Sequence, residues 1–145
     1  DGALHRPYVV HRAPLSTHER FIAFLIEHFG GAFPTWLAPC QVKIVPVGEA
    51  FLEYAKDLQS QLQQALIRCD VDLSSNSFNK KVREAVTSKT PNIAIIGARE
   101  VEERTVTWRR YVQSEQKTVQ REEFSERIHQ LISRRTMDNF ADVEV

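Results

Sequence analysis

Cysteine is nearly missing from this chain of 145 residues: Cys40 and Cys69 are the only two, far apart in the sequence. That scarcity excludes a disulfide-rich secreted scaffold and any Cys-x-x-Cys motif. Two free, mostly buried thiols of a cytosolic protein are the expectation, with a single disulfide as the alternative. Methionine occurs once and does not open the chain, so the sequence reads as a piece of something longer. Long hydrophobic runs are absent. None approaches the ~20 residues that cross a bilayer, so a membrane partner is not expected. The amino end, DGALHRPYVVHRAP, has neither a continuous apolar stretch nor a small-residue cleavage site, so it does not read as a signal peptide. There are five glycines, and none falls in a GxGxxG or GxxxxGK[ST] phosphate loop. Net charge is zero, which argues against strong sequence-independent binding to nucleic acid, and DNA is not expected as a partner.

What is present is the balance of an ordinary globular domain, 42% hydrophobic and 26% charged. The charge is uneven. Residues 78–135 hold 13 Lys/Arg against 8 Asp/Glu, whereas the last ten hold none against 3. A mildly basic distal half can face phosphate; a solvated surface with scattered ion pairs explains the same numbers.

Hydrophobic periodicity gives an alternating order of elements. Tyr8-Val9-Val10 reads as a short strand. Ser16-Thr17-His18-Glu19 fits a capping box, with Ser16 as N-cap. It opens a nearly buried helix through Phe21, Ile22, Phe24, Leu25, Ile26 and Phe29 that Gly30-Gly31 ends. Pro34 and Pro39 make 32–39 an extended connector and the domain boundary. Beyond it, 42–47 reads as a strand, 49–68 as a helix, and Val71 with Leu73 as a second strand. A polar loop at 74–77 follows, then a helix from Phe78 to Val86 and a buried strand at 92–96. The region 101–111 reads as a strand, with one more short strand near 117–119, and a helix covers 122–134. Strands alternating with helices predict an α/β fold: a mixed, mostly parallel sheet flanked by helices. The expected division is 1–38, 39–136 and a frayed acidic tail at 137–145.

No enzyme motif is complete. His5, His11 and His18 are not spaced to share one helical face, and a zinc site needs at least three protein ligands. Arg20 alone reads as a surface arginine. Arg109 and Arg110 after Trp108 fit an exposed strand end, although arginine beside an aromatic also suits RNA bases.

The segment 11–47, HRAPLSTHERFIAFLIEHFGGAFPTWLAPCQVKIVPV, resembles the threonyl-tRNA synthetase family of class II aminoacyl-tRNA synthetases. His11-Arg12-Ala13, Glu19-Arg20-Phe21 and the run from Gly30-Gly31 through Trp36-Leu37-Ala38-Pro39 carry most of the likeness. Lys81–Ala85, Pro91–Val101 and Val106–Arg110 extend it, so that it covers roughly residues 4–135. The resemblance implies the end of a class II catalytic domain with motif 3, followed by a class IIa anticodon-binding domain. It implies a cytoplasmic threonine–tRNA ligase as parent, homodimeric through catalytic surfaces outside this chain. Its partner is the anticodon stem-loop of threonine tRNA.

Roles follow residue by residue as the resemblance has them. His11 matches one of three zinc ligands, and the other two, a Cys and a His, fall upstream of Asp1. Zinc, Mg²⁺ and ATP are therefore expected in the full-length enzyme and none of them in this piece, which is expected to be inactive alone. Arg20 matches the motif 3 arginine that lies against ATP, and Thr17 keeps the hydroxyl of the usual Gly-Ser pair. Ser16 replaces the glycine, and the capping box gives a local reason for it. Glu100 and Arg109 match readers of anticodon bases, with a structural ion pair across a turn as the rival account. A third reader, an asparagine in the family, aligns with Ser75, and Asn76 stands beside it. The departures at Ser16 and Ser75 leave a second reading open: a non-catalytic synthetase relative that binds tRNA-like RNA or a partner protein.

Overall fold

The computed structural model describes residues 2–139, and the chain divides between Gly31 and Ala32 into two compact units. The first contains one helix, α1 (His18–Phe29). Its N-cap is Thr17, whose hydroxyl accepts the Arg20 N–H at 3.4 Å, so the cap lies one residue beyond the expected Ser16 and Arg20, not Glu19, holds the third helical position, where the reciprocal half of a capping box would be. Ser16 instead takes φ 57°, a left-handed conformation in which a β-carbon is disfavoured. The capping explanation for Ser16 is thereby withdrawn. Gly30 closes the helix at φ 56°, its N–H and that of Gly31 returning to Glu27 and Ile26. No residue of α1 is buried, against expectation: Ile22, Phe24 and Ile26 are exposed, and Phe21, Leu25 and Phe29 are half-buried. Tyr8-Val9-Val10 is exposed and forms no strand, because β-propensity without a neighbouring strand leaves the backbone ladder unmade.

The second unit is built on β1 (Val42–Pro46), β2 (Cys69–Val71), β3 (Asn92–Ile96), β4 (Thr105–Arg110) and β5 (Gln116–Gln120) in one sheet of order β2-β1-β3-β4-β5. β1 pairs in parallel with β2 and β3; β4 is antiparallel to β3 and to β5. The mixed sheet is as expected, with parallel and antiparallel pairings in equal number. Helices α2 (Leu52–Gln64), preceded by a 3-10 turn at Glu49–Phe51, and α5 (Arg121–Ser133) cover one face. Ala55, Leu58 and Leu62 of α2 and Phe124, Ile128 and Leu131 of α5 meet Ile44, Ala94, Val106, Trp108 and Val119 there. Helix α3 (Phe78–Thr87) covers β1 and β3 on the other face through Phe78, Val82, Ala85 and Val86 against Val45, Ile93 and Ile95. A short helix, α4 (Ala98–Glu103), occupies the first part of the region expected to be strand.

A buried polar network ties the connector to the sheet. Asp138, 2% exposed, accepts the Thr35 N–H at 2.8 Å and the Thr35 hydroxyl at 2.6 Å. Asn92 donates to Thr35 Oγ1 and to the Gln41 carbonyl, and Trp108 Nε1 donates to Asn92 Oδ1 at 3.0 Å. Arg110 donates to the Asp138 carbonyl and faces its carboxylate at 3.7 Å. The expected fraying after Thr136 is therefore wrong for Asp138, which is a buried anchor. Residues 140–145, the rest of the expected tail, lie outside the described residues.

Both cysteines are free and half-buried rather than buried. Burial, with Cys40 and Asp70 nearby, pushes the Cys69 thiol up to about 11 from an ordinary 9.0, and burial raises Cys40 as well. The reactive thiolate is thus scarce at neutral pH. Alkylation of Cys69 by iodoacetamide at pH 7.5, followed by mass spectrometry, should run on the order of a hundredfold slower than that of an unhindered thiol. Modification at the rate of free cysteine would show this environment to be misjudged.

Candidate nucleic-acid interface

The α3 side of the sheet is covered over β1 and β3, whereas β4 and β5 present a polar face there. The alternation along Thr105–Arg110 explains this: Val106 and Trp108 point into the α2–α5 core, so Thr105, Thr107 and Arg109 take the opposite face. The antiparallel register sets Thr107 opposite Thr118 and Arg109 opposite Gln116. The two threonine hydroxyls are 3.1 Å apart.

Glu100, from the first turn of α4, joins this row. Its Oε1 accepts the Thr107 hydroxyl and its Oε2 the Gly97 N–H, each at 2.8 Å. The carboxylate thus caps α4 from within, since Gly97 has no side chain to do so. A β-carbon added at that cap would sit 3.0 Å from Glu100 Oε2, so a side chain there would press on the carboxylate. An ionised carboxylate has about four lone-pair sites, so these two bonds leave acceptor capacity. Arg109 lies two residues beyond Thr107 on the same strand and face, about 7 Å along. It makes no salt bridge with Glu100, so the rival account of an ion pair across a turn does not hold. Its Nε is buried without a hydrogen-bond partner.

Ser75 and Asn76 belong to the loop between β2 and α3. Asp72 pins that loop, its carboxylate accepting the Ser74 N–H at 2.9 Å and the Ser74 hydroxyl at 2.6 Å. Burial alone would raise the Asp72 pKa, but those bonds, with Lys81 and Lys43 nearby, carry it below the usual carboxylate value. Ser75 is exposed. Asn76 is engaged by α3, accepting from Lys80 at 3.0 Å and donating to Glu84 at 3.4 Å. Glu100 and Arg109 are thus brought onto one face, whereas Asn76 is turned to its own helix.

Thr107, Thr118 and Gln116 were not singled out by sequence reasoning. Alternating threonines signal a strand, and only pairing with β5 shows that they border the same row as Glu100 and Arg109.

In the first unit, His11 is exposed in an irregular segment, Thr17 caps α1, and Arg20 is exposed in its first turn. Among the described residues no three His, Cys, Asp or Glu side chains stand together as a metal site. One imidazole does not make up a zinc centre, which needs at least three protein ligands. Among those residues, too, no helix is long and apolar enough to cross a membrane.

The family described as anticodon binding domain matches residues 41–131, the sheet and its helices. The chain belongs to that family. Its anticodon-binding unit also resembles curated and solved proteins. The threonine–tRNA ligase of Geobacillus kaustophilus is 50% identical over 125 residues, 86% of this chain and 19% of the relative. That of Streptococcus sanguinis is 48% identical over 129 residues, 88% of this chain and 20% of the relative. The chain therefore spans about a fifth of the length of these relatives. The RNA-binding domain of threonyl-tRNA synthetase from Cryptosporidium parvum superposes with a TM-score of 0.72 at 29% identity, over 76% of this chain and 28% of that one.

Proposed function

We infer that this chain is the anticodon-reading end of a threonine–tRNA ligase, acting on threonine tRNA. The observation that carries the reading is the common placement of Glu100 and Arg109 on the uncovered face of β4 and β5, with Arg109 Nε buried and unpartnered. Unstacked loop bases expose donors and acceptors on their edges, and a carboxylate beside a guanidinium supplies both complements. Likeness to threonine–tRNA ligases supports the choice of amino acid. In a full-length parent, a cytoplasmic homodimer, His11 would serve as a zinc ligand, and Thr17 and Arg20 would contact ATP. Ser75 would stand at the edge of the anticodon contact, with Asn76 available only after leaving Glu84 and Lys80.

Binding of this chain to a threonine tRNA transcript should exceed binding to one altered at the second and third anticodon bases. Arg109→Ala should erase that preference, worth about 1–3 kcal/mol for a well-paired base contact. Equal, weak and salt-sensitive binding of both transcripts would sink the base-reading roles of Glu100 and Arg109.

The strained backbone at Ser16 favours a second reading, a non-catalytic relative that keeps RNA binding. Sequence upstream of Asp1 separates the two: a ligase carries the motif 2 arginine and the missing Cys and His ligands there.

A further inference from the structure

The two cysteines, far apart in the sequence, line one cleft. It holds ≈ 490 Å³ between the end of α2 and the chain entering β1 and β2, with Pro39, Gln63, Leu66 and Ile67 among its walls. The strand register brings the thiols together. Val42 stands opposite Cys69 in the parallel pair of β1 and β2, and adjacent strands run about 4.8 Å apart. Cys40 lies two residues before Val42, but the backbone bends at residues 39–41. The Cys40 thiol turns forward there and donates to the Val42 carbonyl at 3.4 Å. Its sulfur thereby reaches the level of Cys69 and lies against the backbone of Asp70 on the neighbouring strand. The Cys69 thiol takes the same α2 side, donating to the Gln59 carbonyl at 3.6 Å. Both bonds are the weak ones of sulfur, and both thiols are half-buried within reach of small solutes.

We propose that Cys40 and Cys69 are a site of oxidation by hydrogen peroxide, which joins them in an intrachain disulfide that staples the end of the connector to β2. The site is independent of the base-reading face, since β2 and β5 are opposite edges of the sheet. Cys40 is the attacking thiol. Burial raises its pKa, but Lys43 and the backbone of Val42 and Asp70 oppose that push. At Cys69, burial, Cys40 and Asp70 all act upward. The Cys40 thiolate attacks one peroxide oxygen, the O–O bond breaks, and a sulfenic acid forms. The departing hydroxide takes up the proton that Cys40 lost and leaves as water. The Cys69 thiol then attacks the Cys40 sulfur: the S–S bond forms, the S–O bond breaks, and the hydroxyl leaves with the Cys69 proton as a second water. Two thiols lose two electrons in all, and one peroxide is reduced to two waters. Closeness of the second thiol makes that step intramolecular, so it outruns further oxidation of the sulfenic acid.

The test uses the whole chain, freshly reduced and then exposed to hydrogen peroxide. Trypsin cuts after Lys43, Lys56 and Arg68, so the two cysteines fall in separate peptides unless they are bridged. Mass spectrometry without reductant should find those peptides joined, in a monomeric chain. The joined form should accumulate about tenfold faster at pH 8.5 than at pH 7.5, following the thiolate fraction. Cys69→Ser should hold Cys40 as a sulfenic acid that dimedone traps, whereas Cys40→Ser should be labelled several times more slowly. The bridged chain should melt roughly 10 °C above the reduced one, because a loop of roughly 30 residues is then closed in the unfolded state. Sulfinic acids on two unlinked cysteines, links between two chains, or intact thiols while glutathione in a parallel sample is fully oxidised would each overturn the proposal. So would a bridged chain that melts below the reduced one, since the native strands would then have to part before the sulfurs could meet.

Discussion

Replacing Asp138 by alanine is expected to destabilise the anticodon-binding unit by about 3–5 kcal/mol, the cost of breaking a buried ionic group from one side. The carboxylate holds three demands at once. It accepts the Thr35 N–H and hydroxyl, and it faces Arg110, which is 5% exposed. Burial depresses the Arg110 pKa and Asp138 opposes that shift, so removing the carboxylate leaves the guanidinium to bear its desolvation without that partner. The Thr35 donors lose their acceptor in the same step, at roughly 1–3 kcal/mol for each buried group left unmade. Because domains are stable by only about 5–15 kcal/mol, the melting temperature should fall by on the order of 10 °C or more. Asp138→Asn should cost less, since an amide oxygen still accepts from Thr35. A thermal scan of both variants decides it: an alanine variant melting within about 2 °C of wild type would mean that the network contributes little.

That network also marks where sequence reasoning stops. Asp138, Thr35, Asn92 and Arg110 are brought together only by the fold, and nothing local in an acidic tail announces a buried anchor. What was legible is what depends on local pattern. The apolar runs 42–47 and 92–96 became β1 and β3, and the stripe Ala55, Leu58, Leu62 became the buried side of α2. The end of α2 was overrun because the usual glycine is missing. Leu66 turns left-handed at φ 60° and is 88% exposed, while the N–H of Ile67 closes back on Leu62. Lys89 and Arg135 end α3 and α5 in the same way, without the residue that signals it. Helix α4 carries no periodic signal, because AREVEE has no apolar stripe; its start is fixed by the Glu100 cap. For the site, residue pattern alone reached only an arginine beside an aromatic. The resemblance named Glu100 and Arg109, and the alternation along β4 together with the Thr107 hydroxyl's bond to Glu100 explains why they share a face. Ser75 and Asn76 align by sequence position, but hydrogen bonds from the loop to Lys80 and Glu84 of α3 determine where Asn76 points.

Phe124→Ala should lower stability by about 3–5 kcal/mol, whereas Phe24→Ala in this chain should stay within about 0.5 kcal/mol. The two phenylalanines look alike in the sequence, each on a helix of apolar periodicity. Phe124 is 0% exposed in α5 and meets the Trp108 ring edge-on, with centroids 5.4 Å apart and an interplanar angle of 83°. Its removal forfeits transfer free energy, leaves a cavity between α5 and the sheet, and ends an aromatic pair worth roughly 0.5–1.5 kcal/mol beyond its area. The effect reaches the site by a short path. Trp108 lies between Thr107 and Arg109 on β4, so a loosened indole loosens the strand that presents both. Phe24 is 59% exposed on α1, and its ring contact is a stack on His28. Urea unfolding of each variant checks the pair, with the stem-loop affinity of Phe124→Ala measured below its midpoint. Equal losses at the two positions would contradict the burial assigned to them. A destabilised Phe124→Ala that binds the stem-loop as tightly as wild type would show that Trp108 is not what holds Arg109 in place.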